Sequence, residues 1–473
     1  MIHVSRRSFL TGSAASFLGG TGLLAGLGAG RAHASDVTGY RALVCLFFFG
    51  GLDHADTVFP FDQGEFDQLA AARNGLFGAY SGDPFFARTR NNLLELDVRN
   101  AANFGGRSFA LAPGMEDLQA LFASGELAIV GNVGPLIEPT DRASFVNETV
   151  DLPPRLFSHN DQQSTWMALG VEGAQLGWGG RFADATLASD PNADPLFSAI
   201  TTAGNQVYLS GQTARQFAAG SSTGSAIDLN ITSINFFLGP GTRGVEQRAA
   251  VEAFYAQNNF GNSSILERDY ARISSTGIGN VRSFNQATNN IVPFATEFPQ
   301  SPLGRQLQTV AETIEARNEF DVSRQIFFVG LGGFDTHSAQ SSELPQRQVQ
   351  MSAAIGAFRN AMVERGIWQD VTLFTASDFG RALVDNGDGT DHGWGGHHFV
   401  AGGSVNGGQI FGEIPLPDTS LPQYTPISGR LIPNISVEQY AATLGAWFGL
   451  NGSELQAALP NLNRFSNTTV GFI

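Results

Sequence analysis

The sequence predicts an α/β protein, a mostly parallel sheet sandwiched by helices. Short, nearly continuous apolar runs recur at 41–49, 127–130, 325–329 and 371–375. Each gives way to a glycine-rich or polar loop, as strands buried on both faces do. Amphipathic stretches of helical length, 307–317 and 346–365, separate the later runs. Helix and strand in alternation imply right-handed crossovers between parallel strands.

Taken in order, the chain opens on an address. Ser5-Arg-Arg-Ser-Phe-Leu10 matches the twin-arginine (Tat) export pattern, a weakly hydrophobic Gly/Ala/Leu run follows, and Ala32-His-Ala34 suits cleavage. Residues 1–34 are therefore set aside as a signal peptide, and 35–473 are expected to form a single domain. The run 41–49 is the central strand, ending at Gly50-Gly51 and releasing Asp53, His54 and Asp56 into a loop. A helix is predicted over 115–123, a second strand at 127–130, and a helix opening near 139–142. At 156–166, Ser158, Asn160 or Asp161 can cap another helix. The glycines of 177–181 suggest a tight turn, with Arg181 holding an anion or pairing with a carboxylate.

Residues 190–325 change character. Strand-like runs alternate with Gly/Ser/Thr turns over 196–237, and 243–292 reads as polar helix. This predicts a lid-like insertion or a cap packed on one edge. From 303 the helix–strand rhythm returns, and one strand delivers Gly332-Gly-Phe-Asp-Thr-His337. The next strand delivers Asp378, and 399–403 gives a further short strand. An amphipathic helix follows Ser436, its N-cap candidate, and stops at Gly449.

Composition narrows the function. The formal charge is −16 and lysine is absent, so all 27 basic residues are arginines. Such a chain is poorly suited to nucleic-acid backbones or anionic membranes. No stretch after the signal is apolar enough to span a bilayer. Cys45, the single cysteine, lies in an apolar run and is expected in the core without an internal disulfide. Six histidines remain beyond the signal: His54, His159, His337, His392, His397 and His398. All six lie in Gly-, Asp- or Ser-rich segments, which points to a site.

The densest chemistry lies in 378–398, with four aspartates, three histidines, one arginine and six glycines. Together with 332–337 and the end of the first strand, it brings Asp53, Asp335 and Asp378 to three strand ends. In open α/β sheets, ligands gather at such ends. His337, His392 and Asp391 add donors. Mixed Asp/His shells suit Zn²⁺, Mn²⁺ or Fe, and an all-oxygen shell would suit Mg²⁺ or Ca²⁺. One or two divalent ions there would polarise a phosphoryl or sulfuryl oxygen. Arg381 is placed to bind an anionic ester oxygen, or to form a helix-surface salt bridge. Ser158 or Thr165 is a candidate nucleophile near His159. Asp53 equally suits a capped turn, and Asp378 an N-cap. His397 and His398 are adjacent, so at most one should face the site.

Several motifs carry a resemblance: Phe47-Phe-Phe-Gly-Gly-Leu-Asp53, Ser158-His159, Gly177-Trp-Gly-Gly-Arg181, Gly332-Gly-Phe-Asp-Thr-His337, Ser377-Asp-Phe-Gly-Arg381 and Gly389-Thr-Asp-His-Gly393. In this order they resemble the Tat-exported bacterial family known as domain of unknown function 1501. That family looks like a distant branch of the alkaline phosphatase and sulfatase superfamily. The resemblance implies an alkaline-phosphatase-like fold, with Asp53 as the first-strand metal ligand and Asp335 and His337 as an Asp…His pair. It makes Asp378 the aspartate of an Asp-His pair and His392 the last histidine. Position 379 departs from the pattern: Phe379 stands where the superfamily has the second metal's histidine. The implied function is an exported, periplasmic or secreted, metal-dependent hydrolase. Its substrates would be small anionic esters or sulfated or phosphorylated glycans, and the Tat translocon its partner in export. The alternative is a non-catalytic exported protein that binds a glycan or protein partner through the same cleft.

Overall fold

The computed structural model describes residues 34–190, 193–220 and 264–473. The expected export signal, up to His33, lies outside the described residues, as do 221–263 within the expected insertion. Ala34–Ile473 forms one compact unit.

In chain order the strands are β1 (Arg41–Phe48), β2 (Val58–Pro60), β3 (Leu94–Leu96), β4 (Phe109–Leu111), β5 (Leu127–Gly134), β6 (Ala199–Thr201) and β7 (Phe217–Ala218). They continue with β8 (Arg324–Leu331), β9 (Val371–Ser377), β10 (Arg381–Asp385), β11 (Thr390–His392), β12 (Gly396–Gly402), β13 (Ile410–Gly412) and β14 (Ile435–Ser436). The main sheet runs β13-β5-β12-β9-β1-β8-β6-β7, with β14 also on β5. Only β12 runs antiparallel to its neighbours; the other pairings in this sheet are parallel. The α/β class with a mostly parallel sheet therefore holds.

The period of two along β1 explains its central place. Ala42, Val44, Leu46 and Phe48 enter one hydrophobic core. Leu43, Cys45 and Phe47 enter the core on the opposite face. With both faces covered, each large side chain contributes roughly 1.5–3 kcal/mol of burial. Helices Glu116–Ser124, Pro302–Glu315 and Gln340–Glu364 cover the first face. Helices His159–Ala168, Trp178–Ser189 and Val437–Phe448 cover the second. Ser436 caps the last of these in a capping box with Gln439, and Gly449 ends it with φ 118°.

Within 190–325, β6 and β7 extend the main sheet at its edge beyond β8, and helix Pro302–Glu315 packs into the core. These strands are too short to read as sheet edges from sequence. The glycines of 177–181 form a helix start, not the expected turn, because Gly179 and Gly180 press against Tyr208 and the backbone of Ser210, where a Cβ would not fit. Arg181 bonds the Ala458, Ala168 and Leu176 carbonyls.

Candidate metal centre

Strands β9, β1 and β8 are adjacent, and their carboxyl ends present the loops that carry Asp378, Asp53 and Asp335. Gly50 makes the close approach possible. Its φ is +115°, and a Cβ there would stand 2.2 Å from the Asp335 nitrogen. Beyond β8, Phe334 and Thr336 are buried while Asp335 and His337 turn outward, an alternation with the period of an extended chain. Residues 381–392 are a hairpin of β10 and β11, in which Arg381 pairs with His392.

Three imidazoles meet at Asp335. The Nδ1 of His159 donates to Asp378 Oδ2 at 2.6 Å, leaving Nε2 turned to Asp335 Oδ2 at 3.4 Å. That Nε2 is buried and has no hydrogen-bond partner. The Nδ1 of His392 donates to the Phe157 carbonyl at 2.8 Å, and its Nε2 lies 3.3 Å from Asp335 Oδ1. His337 sets Nδ1 3.5 Å from Asp391 and Nε2 3.2 Å from Asp335 Oδ1, 2.8 Å from His392 Nε2. For His159 and His392 the Nδ1 is thus held by an oxygen while the Nε2 faces Asp335, the arrangement of metal-bound histidines whose outer nitrogen is held by a second group; His337 stands beside this pair. Ligand atoms of His159, Asp335 and His392 lie within 4.8 Å of one another. The orphaned Nε2 and the mixed imidazole–carboxylate donor set fit a divalent metal ion.

The electrostatics follow from these contacts. The hydrogen bond to Asp378 holds His159 above the ordinary imidazole pKa, against the opposing effect of burial. Burial pulls His392 down. Burial would raise Asp335, but the bond and charge of Arg381, with the nearby imidazoles, hold it below the usual carboxylate range.

Phe379 forms the floor. Its ring centre lies 4.9 Å from that of His159 and 4.7 Å from that of His392. The position that departs from the superfamily pattern is thus filled by an apolar ring beneath two of the donors.

Other expected site residues are placed differently. Asp53 is buried away from the imidazoles, with its Oδ2 bonded to Arg73 at 2.7 Å and Gln340 at 2.7 Å. Its Oδ1 accepts from the Asp56 amide, so Asp53 is the cap of a turn and half of a buried ion pair. Burial raises its pKa, but Arg73 outweighs that and leaves it lowered. Arg381 is fully buried and bonds Asp335, Gly50 O and Thr390, so it orients Asp335 instead of offering a free fork to an anion. Ser158 Oγ donates to Asp161 Oδ2 at 2.8 Å, and Thr165 Oγ1 to the Asp161 carbonyl at 2.8 Å. Neither hydroxyl is directed at the imidazoles. Asp378 supports His159 and also accepts from Gly50 N and Gln163.

The sequence reading placed His159 beside a nucleophile, not among the ligands. Its available signal was the four-residue spacing to Gln163 on one helix face, from which both side chains reach Asp378. The Phe157 carbonyl has no residue-type signature. Its φ of +72° is costly for an aromatic residue, on the order of 1–3 kcal/mol.

His54, His397 and His398 are buried outside this cluster. His397 and His398 belong to strand β12, which loop-like composition concealed. Burial lowers His398 to about 3. Above pH 6.5 both folded and unfolded chains keep this ring neutral. As pH falls below 6.5, the unfolded chain takes up the proton while the folded chain resists. Stability is therefore lost towards pH 3, by about 3 kcal/mol at pH 4 from this group alone. His398→Phe, whose ring would sit between Trp166 and Tyr440, is expected to lose that much less on acidification. Urea unfolding of both proteins at pH 7 and pH 4 checks this; equal losses would contradict it.

A family model described as protein of unknown function (DUF1501) matches residues 274–421. The match supports the family resemblance. The matched span contains Asp335, His337, Asp378 and His392, while His159 lies outside it. No match is found among curated proteins. Similar solved structures include Ps i-CgsB in complex with k-i-k-neocarrahexaose, 10% identical, covering 91% of this chain and 77% of that one, with a TM-score of 0.35. Ps i-CgsB alone is 10% identical, covers 89% of this chain and 77% of that one, and has a TM-score of 0.34. Among the described residues, no helix is long and apolar enough to cross a membrane.

Proposed function

We propose that this protein is an exported, metal-dependent hydrolase of phosphate or sulfate esters, in the manner of the alkaline phosphatase and sulfatase superfamily. The supporting observation is the convergence of His159 and His392 on Asp335, each Nδ1 held by an oxygen, with His337 beside them. A bound divalent ion would supply a Lewis acid for the ester oxygen and lower the pKa of a water. The chain's own work is positional. Asp378 fixes the His159 tautomer, the Phe157 carbonyl that of His392, and Arg381 aims the Asp335 carboxylate. Phe379 closes the floor to solvent and leaves one cluster of donors, so a single ion is proposed. With Ser158 and Thr165 turned to Asp161, water is the acceptor of the transferred group. The balanced reaction for a sulfate ester is ROSO₃⁻ + H₂O → ROH + HSO₄⁻.

The test is an assay of the mature protein on 4-nitrophenyl phosphate, 4-nitrophenyl sulfate and sulfated oligosaccharides. Hydrolysis of one ester class, lost on chelation and restored by Zn²⁺ or Mn²⁺, is expected. Stoichiometric metal without turnover of any of these would favour the binding-protein alternative.

A further inference from the structure

The expected anion contact, Arg381, is consumed by protein acceptors, which leaves the question of what meets an anionic ester at this site. Arg430 answers it. Its Nε donates to the backbone carbonyl of His392 at 2.6 Å. Its guanidinium lies 4.2 Å above the Phe157 ring, the residue whose carbonyl holds the His392 side chain. Its backbone is pinned in a turn, with its carbonyl accepting from Thr425 N and its amide donating to Thr425 Oγ1. Burial pulls the Arg430 guanidinium pKa down, and the Asp391 charge opposes that. Among the described residues, neither terminal nitrogen is taken up by a hydrogen bond or an ion pair, and Arg430 has no buried unpartnered atom. The residue is thus anchored at three points, one of them the backbone of His392, while its two Nη groups remain without a protein acceptor among the described residues. An arginine fork with fixed orientation matches two oxygens of a tetrahedral oxyanion.

We infer that Arg430 is the oxyanion-binding residue of this site, receiving a sulfuryl or phosphoryl group through its paired Nη donors. The inference rests on the anionic-ester reading above and names the side chain that would recognise that group.

The test titrates inorganic sulfate and inorganic phosphate into wild type, Arg430→Met and Arg430→Lys by calorimetry, with metal content and unfolding midpoint measured on the same samples. Arg430→Met is expected to weaken whichever oxyanion wild type binds by about 10- to 100-fold, with metal content retained. Arg430→Lys should recover part of the loss, since it keeps the charge without the fork. Equal oxyanion affinity in wild type and Arg430→Met would overturn the inference, as would a wild type that binds neither ion. Loss of metal together with the oxyanion in Arg430→Met would also overturn it, by making Arg430 a positioning residue for His392. If wild type holds no metal yet its oxyanion binding depends on Arg430, the inference stands and the hydrolase reading fails.

Discussion

Replacing Asp335 by asparagine is expected to lower metal affinity at least about 100-fold while leaving the fold intact. Three imidazoles share this carboxylate, with Nε2 contacts of 3.2–3.4 Å. Groups that merely support a ligand cost 10–100-fold when removed, and a ligand itself should cost no less. Asparagine keeps the shape and an oxygen for Arg381, which retains Gly50 O and Thr390 in any case. The smaller companion effect is Asp378→Asn, expected to weaken binding about 10-fold by loosening His159. Competition against a chromogenic chelator measures both. Unchanged affinity in Asp335→Asn would remove Asp335 from the ligand set.

The second large effect is on stability. Asp53→Ala is expected to destabilise the protein by about 3–5 kcal/mol without changing its metal content. The alanine would leave Arg73 fully buried, with the Leu383 and Ala382 carbonyls but without its counter-ion. The loss would spread, because Gln340 bridges Asp53 to Asp56, which pairs with buried Arg88. Urea unfolding with metal analysis separates the two possible roles. Near-native stability with lost metal would make Asp53 a ligand after all.

Much of the fold was legible because its strands bury both faces. Such strands announce themselves as unbroken apolar runs, and β1, β8 and β9 lie where those runs predict. Asp335 and His337 were legible too, since an extended loop turns every second residue outward. What was hidden depended on partners distant in sequence. Whether Asp53 faces a metal or an arginine is decided by Arg73, twenty residues on and without a motif of its own. Whether Arg381 is free is decided by Asp335 and Thr390. Arg430 gave no signal for the same reason, because its placement comes from the His392 carbonyl and the Phe157 ring.

The clustering of histidines in polar loops did not separate two groups that the structure keeps apart. His159, His337 and His392 meet at Asp335, whereas burial keeps His54, His397 and His398 neutral, with His54 lowered to about 4. Glycine-rich composition marked close backbone approach in both groups and did not distinguish a site from a tightly packed strand.

The most direct test of the account is Zn K-edge X-ray absorption on the mature protein loaded with one equivalent of Zn²⁺ and dialysed. A retained ion with imidazole scattering from His159 and His392 and a carboxylate oxygen from Asp335 is predicted. An oxygen-only shell, or an ion removed by dialysis, would contradict it.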